Sequence, residues 1–203
     1  MSALTIARSE LILGGQKSGK SARAELLARD WLAQSSSHRA VMVATAQPWD
    51  DEMRQRISRH QADRRVRVPG MSTVEEPLCL AETLQAHSRA DTLIVVDCLT
   101  LWLTNCLMPA DAPSQPLSQE LMKNQPPALI YQGRVALLLE AIQQAPGPLV
   151  FVGNEIGLGV IPMGREVRAF VDALGLLNQS VASACERVTL MAAGLPLRLK
   201  EPA

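Results

Sequence analysis

The run Gly14-Gly15-Gln16-Lys17-Ser18-Gly19-Lys20-Ser21 restricts the possible folds of this chain more than any other feature. It follows Glu10-Leu11-Ile12-Leu13, a short apolar strand signal. It precedes Ala22-Arg23-Ala24-Glu25-Leu26-Leu27-Ala28, which has helical character. Strand, glycine-rich turn, Gly-Lys-Ser and helix, in that order, form a phosphate-binding loop. Glycines permit the tight turn and bring backbone N–H groups close to an anion. The helix N-terminus adds partial positive charge at the same point. Lys20 can then reach the outer phosphates of a nucleoside triphosphate, and the Ser21 hydroxyl can ligate Mg²⁺.

The rest of the chain alternates apolar runs with helical patterns. Strands are predicted at 39–44, 92–96, 149–152 and, as the last, 187–191. Helices are predicted at 50–65, 78–88, 99–107, 133–144 and 165–184. Such alternation predicts an α/β fold, a mostly parallel central sheet with helices on both faces. Ile94-Val95-Val96 and Val150-Phe151-Val152 are continuously apolar, as strands covered on both sides should be. Residues 1–203 are expected to form a single domain. The stretch 108–132, with Pro109, Pro113, Pro116, Pro126 and Pro127, reads as a proline-rich surface loop carrying at most a short helix near 117–123. It is either a tolerated insertion or a lid or subunit contact.

Three further segments can carry chemistry. Ile94-Val95-Val96-Asp97 is an apolar strand ending in an acid. Beside a phosphate loop, such an Asp can hold Mg²⁺; the alternative is a plain cap for the helix that follows. The segment from Asp50 to Arg67 starts with three acids, as a helix N-terminus prefers, and carries Arg54, Arg56, Arg59, Arg64, Arg65 and Arg67 around His60. Met53 and Ile57 are expected to face the core. The arginines form either a solvated basic face or a phosphate-binding patch, and the pattern leaves His60 either structural or nucleophilic. Gly153-Asn154-Glu155-Ile156-Gly157-Leu158-Gly159 follows a buried strand, where open α/β sheets bind ligands.

Composition removes other classes. Twenty basic and twenty acidic residues cancel, and only 3% of residues are aromatic, so neither a nucleic-acid partner nor an acidic membrane surface is expected. No apolar run is long enough to span a membrane, and no secretion signal is visible, so a cytoplasmic location is expected. Cys79, Cys98, Cys106 and Cys185 lack zinc-site spacing and read as reduced thiols.

Taken in order, these segments resemble the bifunctional adenosylcobinamide kinase/adenosylcobinamide-phosphate guanylyltransferase family of cobalamin biosynthesis. The resemblance rests on Gly14–Ser21, Ala44-Thr45-Ala46, Asp50-Asp51-Glu52-Met53 with Arg56-Ile57 and His60, and Thr73-Val74-Glu75-Glu76-Pro77. It continues through Asp97–Trp102 with Asn105, Asn154–Pro162, and Arg168 through Asn178. The chain departs from the family at Gln16-Lys17, often a small residue and Arg there, and lacks a tryptophan often found before Thr73. The resemblance implies a RecA-like P-loop fold and a homotrimer with sites near subunit boundaries. It also implies two reactions on a corrinoid substrate: phosphorylation of adenosylcobinamide by GTP or ATP, and transfer of GMP from GTP to the resulting phosphate. The GMP would pass through a histidine, which matches His60. Nucleotide contacts would fall on Gly14, Gly15, Gln16, Lys17, Ser18, Gly19, Lys20 and Ser21, on Ala44, Thr45 and Ala46, on Gln61, Ala62, Asp63 and Arg64, and on Glu75 and Asp97, with Mg²⁺ at Ser21 and Asp97. The alternatives are guanylyl transfer alone or a simple small-molecule kinase.

Overall fold

The computed structural model describes residues 5–108, 127–160 and 162–202. Its elements are β1 (Ser9–Gly14), α1 (Lys20–Gln34), β2 (Arg39–Ala44), α2 (Asp51–Arg67), β3 (Met71–Glu75), α3 (Leu80–His87) and β4 (Thr92–Asp97). They continue with α4 (Leu99–Leu107), α5 (Pro127–Gln144), β5 (Leu149–Val152), α6 (Arg165–Ala184), β6 (Arg187–Ala192) and β7 (Leu195–Lys200). The strands form one sheet in the order β3-β2-β4-β5-β1-β6-β7. All neighbours are parallel except β6 and β7. β5 lies between β1, which leads into the phosphate loop, and β4, which ends at Asp97. This is the RecA-like arrangement.

Successive residues of the central strands serve opposite faces, as strand geometry requires. Leu11, Val43, Val96 and Phe151 pack with Leu84 of α3, Trp102 of α4, Leu138 of α5 and Leu177 of α6. Ile12, Met42, Val95 and Val150 pack with Ala24, Leu27 and Ala28 of α1. Each of these side chains loses nearly all contact with water, worth roughly 1.5–3 kcal/mol for a residue of leucine size. Cys98 and Cys185 are buried and all four thiols are free. Burial pushes Cys98 up to about 11 and Cys185 up to about 12, so neither forms a thiolate readily.

Three expectations are corrected. β6 is not the last strand, because Ala193 and Gly194 both adopt positive φ and turn the chain into β7. Two such residues are what a tight hairpin needs. The segment Met71–Glu75, not assigned a strand from sequence, pairs with β2 as an edge strand. Its short, partly polar run lacks a continuous apolar signal. Finally, the loop expected to reach Gln132 stops earlier, since α5 begins at Pro127. Proline suits the first helical turn, where its missing N–H removes no intrahelical bond. The short helix expected near 117–123 lies outside the described residues.

Candidate active site

Gly14 ends β1 with φ 153°, and a Cβ there would meet the Met191 carbonyl oxygen and Ser18 Oγ at 2.5 Å. Gly19 (φ 101°) starts α1. The loop is braced from behind by the β6–β7 turn, where Gly194 N–H donates to the Ser18 carbonyl (3.0 Å), and from the side by Glu155 N–H on the Gly14 carbonyl (3.1 Å). The hairpin missed in the sequence therefore supports the phosphate loop.

Gln16, Lys17, Ser18, Gly19, Lys20 and Ser21 line a cavity of about 600 Å³. Glu52, Gln55, Arg56, Arg59, His60, Asp97 and Asn154 complete its polar wall. A second cavity of about 380 Å³ is lined by apolar Met53, Ile57, Leu101 and Ala46 and by polar side chains that include Gln61, Arg64 and Glu75. Ser21, Arg56, His60, Asp97 and Cys98 line both. His60 thus stands where a phosphate cavity meets a cavity of mixed polarity. Met53 and Ile57 do not join the core as expected. They are half-buried against the second cavity, which separates this end of α2 from the sheet.

α2 is held mainly by polar contacts. Asp50 caps it by accepting from Met53 N–H (2.7 Å). Gln61 donates to Glu75 (3.1 Å), Arg64 to Thr73 Oγ1 (3.2 Å) and Arg67 to the buried Glu25 (3.1 Å). These fix the half of the helix that follows His60. Ala62 and Asp63 line neither cavity, and Asp63 pairs with Arg67 at 3.4 Å.

Lys20 folds back so that Nζ donates to the Gly15 carbonyl (2.6 Å), which leaves its other two N–H donors for a ligand. Burial holds its ammonium below the usual lysine value and Arg56 adds to this, while Cys98 and Asp97 oppose it. Ser18 Oγ is buried and has no hydrogen-bond partner among the described residues, so it can donate to an anion on the loop. No group of three or more His, Cys, Asp or Glu side chains able to hold a metal occurs among the described residues. Ser21 and Asp97 still supply two hard oxygen donors on the common wall. That fits Mg²⁺ carried chiefly by nucleotide phosphates.

Thr45 turns inward. Its hydroxyl donates to the Cys98 carbonyl (2.7 Å) and accepts from Cys98 N–H (2.8 Å), which aligns the end of β2 with the end of β4. Asn105, itself 2% exposed, donates to the Thr45 (2.8 Å) and Pro77 (3.1 Å) carbonyls. Asn105→Ala is expected to leave the buried Thr45 carbonyl and the part-buried Pro77 carbonyl short of a partner and lower stability by about 2–3 kcal/mol, read from urea unfolding. Arg56, Arg59 and Asn154 were not among the expected nucleotide contacts. Asn154 had a sequence signal, as the first polar side chain after a buried strand. The arginines had only their density, which does not say which way each one points.

A family profile described as "Cobinamide kinase / cobinamide phosphate guanyltransferase" matches residues 10–199. The chain belongs to this family. It is 43% identical over 191 residues to the bifunctional adenosylcobalamin biosynthesis protein CobP of Pseudomonas aeruginosa, covering 94% of this chain and 96% of that protein. It is 32% identical to the bifunctional adenosylcobalamin biosynthesis protein CobU of Escherichia coli strain K12, covering 94% and 98%. A solved protein of Pyrococcus horikoshii OT3 shares the fold at 9% identity, with a TM-score of 0.51, covering 98% of this chain and 89% of that one. Membership makes the chain an enzyme of the cobinamide kinase / cobinamide phosphate guanyltransferase family. No helix among the described residues is long and apolar enough to cross a membrane.

Proposed function

We propose that His60 is the nucleophile that carries GMP from GTP to adenosylcobinamide phosphate, and that the same phosphate loop serves the kinase step. The observation that carries this is the common wall: His60, Arg56 and Asp97 line both cavities. Triphosphate on the loop would place its nucleoside toward the second cavity. The Glu75 carboxylate, an acceptor only, suits the N–H groups of a guanine edge, and Met53 and Ile57 suit its faces. The α-phosphorus then lies at the junction.

In the first half-reaction an imidazole nitrogen of His60 attacks the α-phosphorus. A P–N bond forms, the P–O bond to the β-phosphate breaks, and pyrophosphate leaves with the electron pair. Arg56, Arg59 and Lys20 stabilise charge on the transferring and leaving groups. In the second, a phosphate oxygen of adenosylcobinamide phosphate attacks, the P–N bond breaks, and the imidazole is restored. In the kinase reaction the corrinoid hydroxyl oxygen attacks the γ-phosphorus, the bond from the γ-phosphorus to the bridging oxygen breaks, the nucleoside diphosphate departs with the electron pair, and the hydroxyl proton passes to solvent. Mg²⁺, held by Ser21 and Asp97 together with the phosphates, would supply charge neutralisation.

The test is incubation with α-³²P-GTP and Mg²⁺, then a chase with adenosylcobinamide phosphate. Label is expected first on the protein and then on the corrinoid. Product formed with the protein never labelled would overturn the covalent route. A homotrimer in the cytoplasm belongs to the same proposal and rests on the family resemblance; a monomer mass in sedimentation would remove the trimer.

A further inference from the structure

The loop after β5 contributes Asn154 to the phosphate cavity, but its later residues line a different one. Ile156, Val160 and Pro162 face α6 across a cavity of about 550 Å³. Of its apolar lining residues Val160 is 96% exposed, and Leu158 (81%) and Met163 (96%) are exposed on the same stretch of chain without lining the cavity. An apolar patch of this kind beside an active cavity marks an interaction site.

α6 adds two observations. Gly175 sits in mid-helix, where glycine costs about 1 kcal/mol relative to alanine. A Cβ built there meets nothing within 4 Å among the described residues, so their packing does not require a glycine. Its bare backbone forms part of the cavity wall. Asp172 and Gln179 flank it on the same helix face and have no hydrogen-bond partner among the described residues.

We propose that this shelf binds one face of the corrin ring of the acceptor substrate in both transfers. The inference rests on the function proposed above. A corrin is a broad, flat macrocycle with apolar faces and a rim of carboxamides. The shelf offers what such a ligand needs: apolar side chains for the face, a helix backbone that can be approached closely, and an unpaired carboxylate and amide for the rim. The same loop also puts Asn154, two residues before Ile156, on the wall of the phosphate cavity, which gives a path along the chain from one to the other. The aminopropanol arm would follow that path to the γ-phosphate or to the guanylylated histidine.

The experiment compares wild type, Gly175→Leu, which fills the shelf, and Asp172→Ala. Cobinamide phosphate binding is read by equilibrium dialysis and corrin absorbance. Labelling by α-³²P-GTP without corrinoid, and sedimentation, are measured in parallel. Gly175→Leu is expected to weaken corrinoid binding at least tenfold and Asp172→Ala several-fold, with labelling and sedimentation unchanged. Corrinoid binding unchanged in both variants overturns the proposal. Altered sedimentation overturns it too, and makes the shelf a contact between copies of the chain. Wild type that takes no label but binds cobinamide phosphate, with Gly175→Leu losing it, rejects the histidine route and leaves the shelf standing.

Discussion

His60→Ala protein is expected to take up no label from α-³²P-GTP and to lose guanylyl transfer by at least about 10³-fold, the scale on which removal of a covalent nucleophile acts. The substitution removes the one imidazole on the wall between the cavities and leaves Arg56, Lys20, Ser21 and Asp97 in place. Because His60 is exposed, stability should change by less than about 0.5 kcal/mol. Cobinamide phosphorylation, followed with γ-³²P nucleotide, should fall far less, since no bond to the γ-phosphorus involves the imidazole. A phosphoramidate bond is labile in acid and stable in base, so wild-type label should be lost at low pH and kept at high pH. Label that persists in the variant, or that survives acid, would place the covalent bond on another residue.

Lys20→Ala is expected to reduce both transfers by about 10²–10³-fold, as loss of a preorganised cationic donor usually does. The same ammonium serves both because each leaving group is a phosphate chain on the one loop. Steady-state rates with γ- and α-labelled nucleotide measure each separately; a normal rate in either would detach that reaction from the loop. A pH profile adds a second check. Burial holds the folded Lys20 below the ordinary lysine value. The charged form is therefore complete at low pH and is lost, as pH rises, earlier than from a free lysine. Free-enzyme kcat/KM should show an alkaline limb below about 10.4. Lys20→Arg, whose side chain stays charged, should move that limb upward.

Much of the site was legible because its parts are local. A phosphate loop needs a strand, a turn and a helix start within about twenty residues, so its pattern survives in the linear chain. Asp97 was legible for the same reason, at the end of an apolar strand. α2 shows where local pattern fails. Met53 and Ile57 have core spacing, yet a cavity rather than the sheet lies beneath them. The pattern records that a side chain avoids water, not whether protein or ligand covers it. Thr45 is a second case: it falls in a nucleotide-binding segment by resemblance, while its hydroxyl is engaged by Cys98.

Sequence alone determined the alternation of strands and helices, the anion-binding turn and the family, since each depends on residues close together or on motifs in fixed order. Tertiary structure decided which surfaces meet. Packing β5 between β1 and β4 brings Asp97 toward Ser21, the hairpin turn at Ala193-Gly194 supports the loop from a segment far along the chain, and the placement of α2 puts His60 where two cavities join. Those contacts join residues scores of positions apart, and their formation depends on burying both faces of one sheet rather than on any local preference.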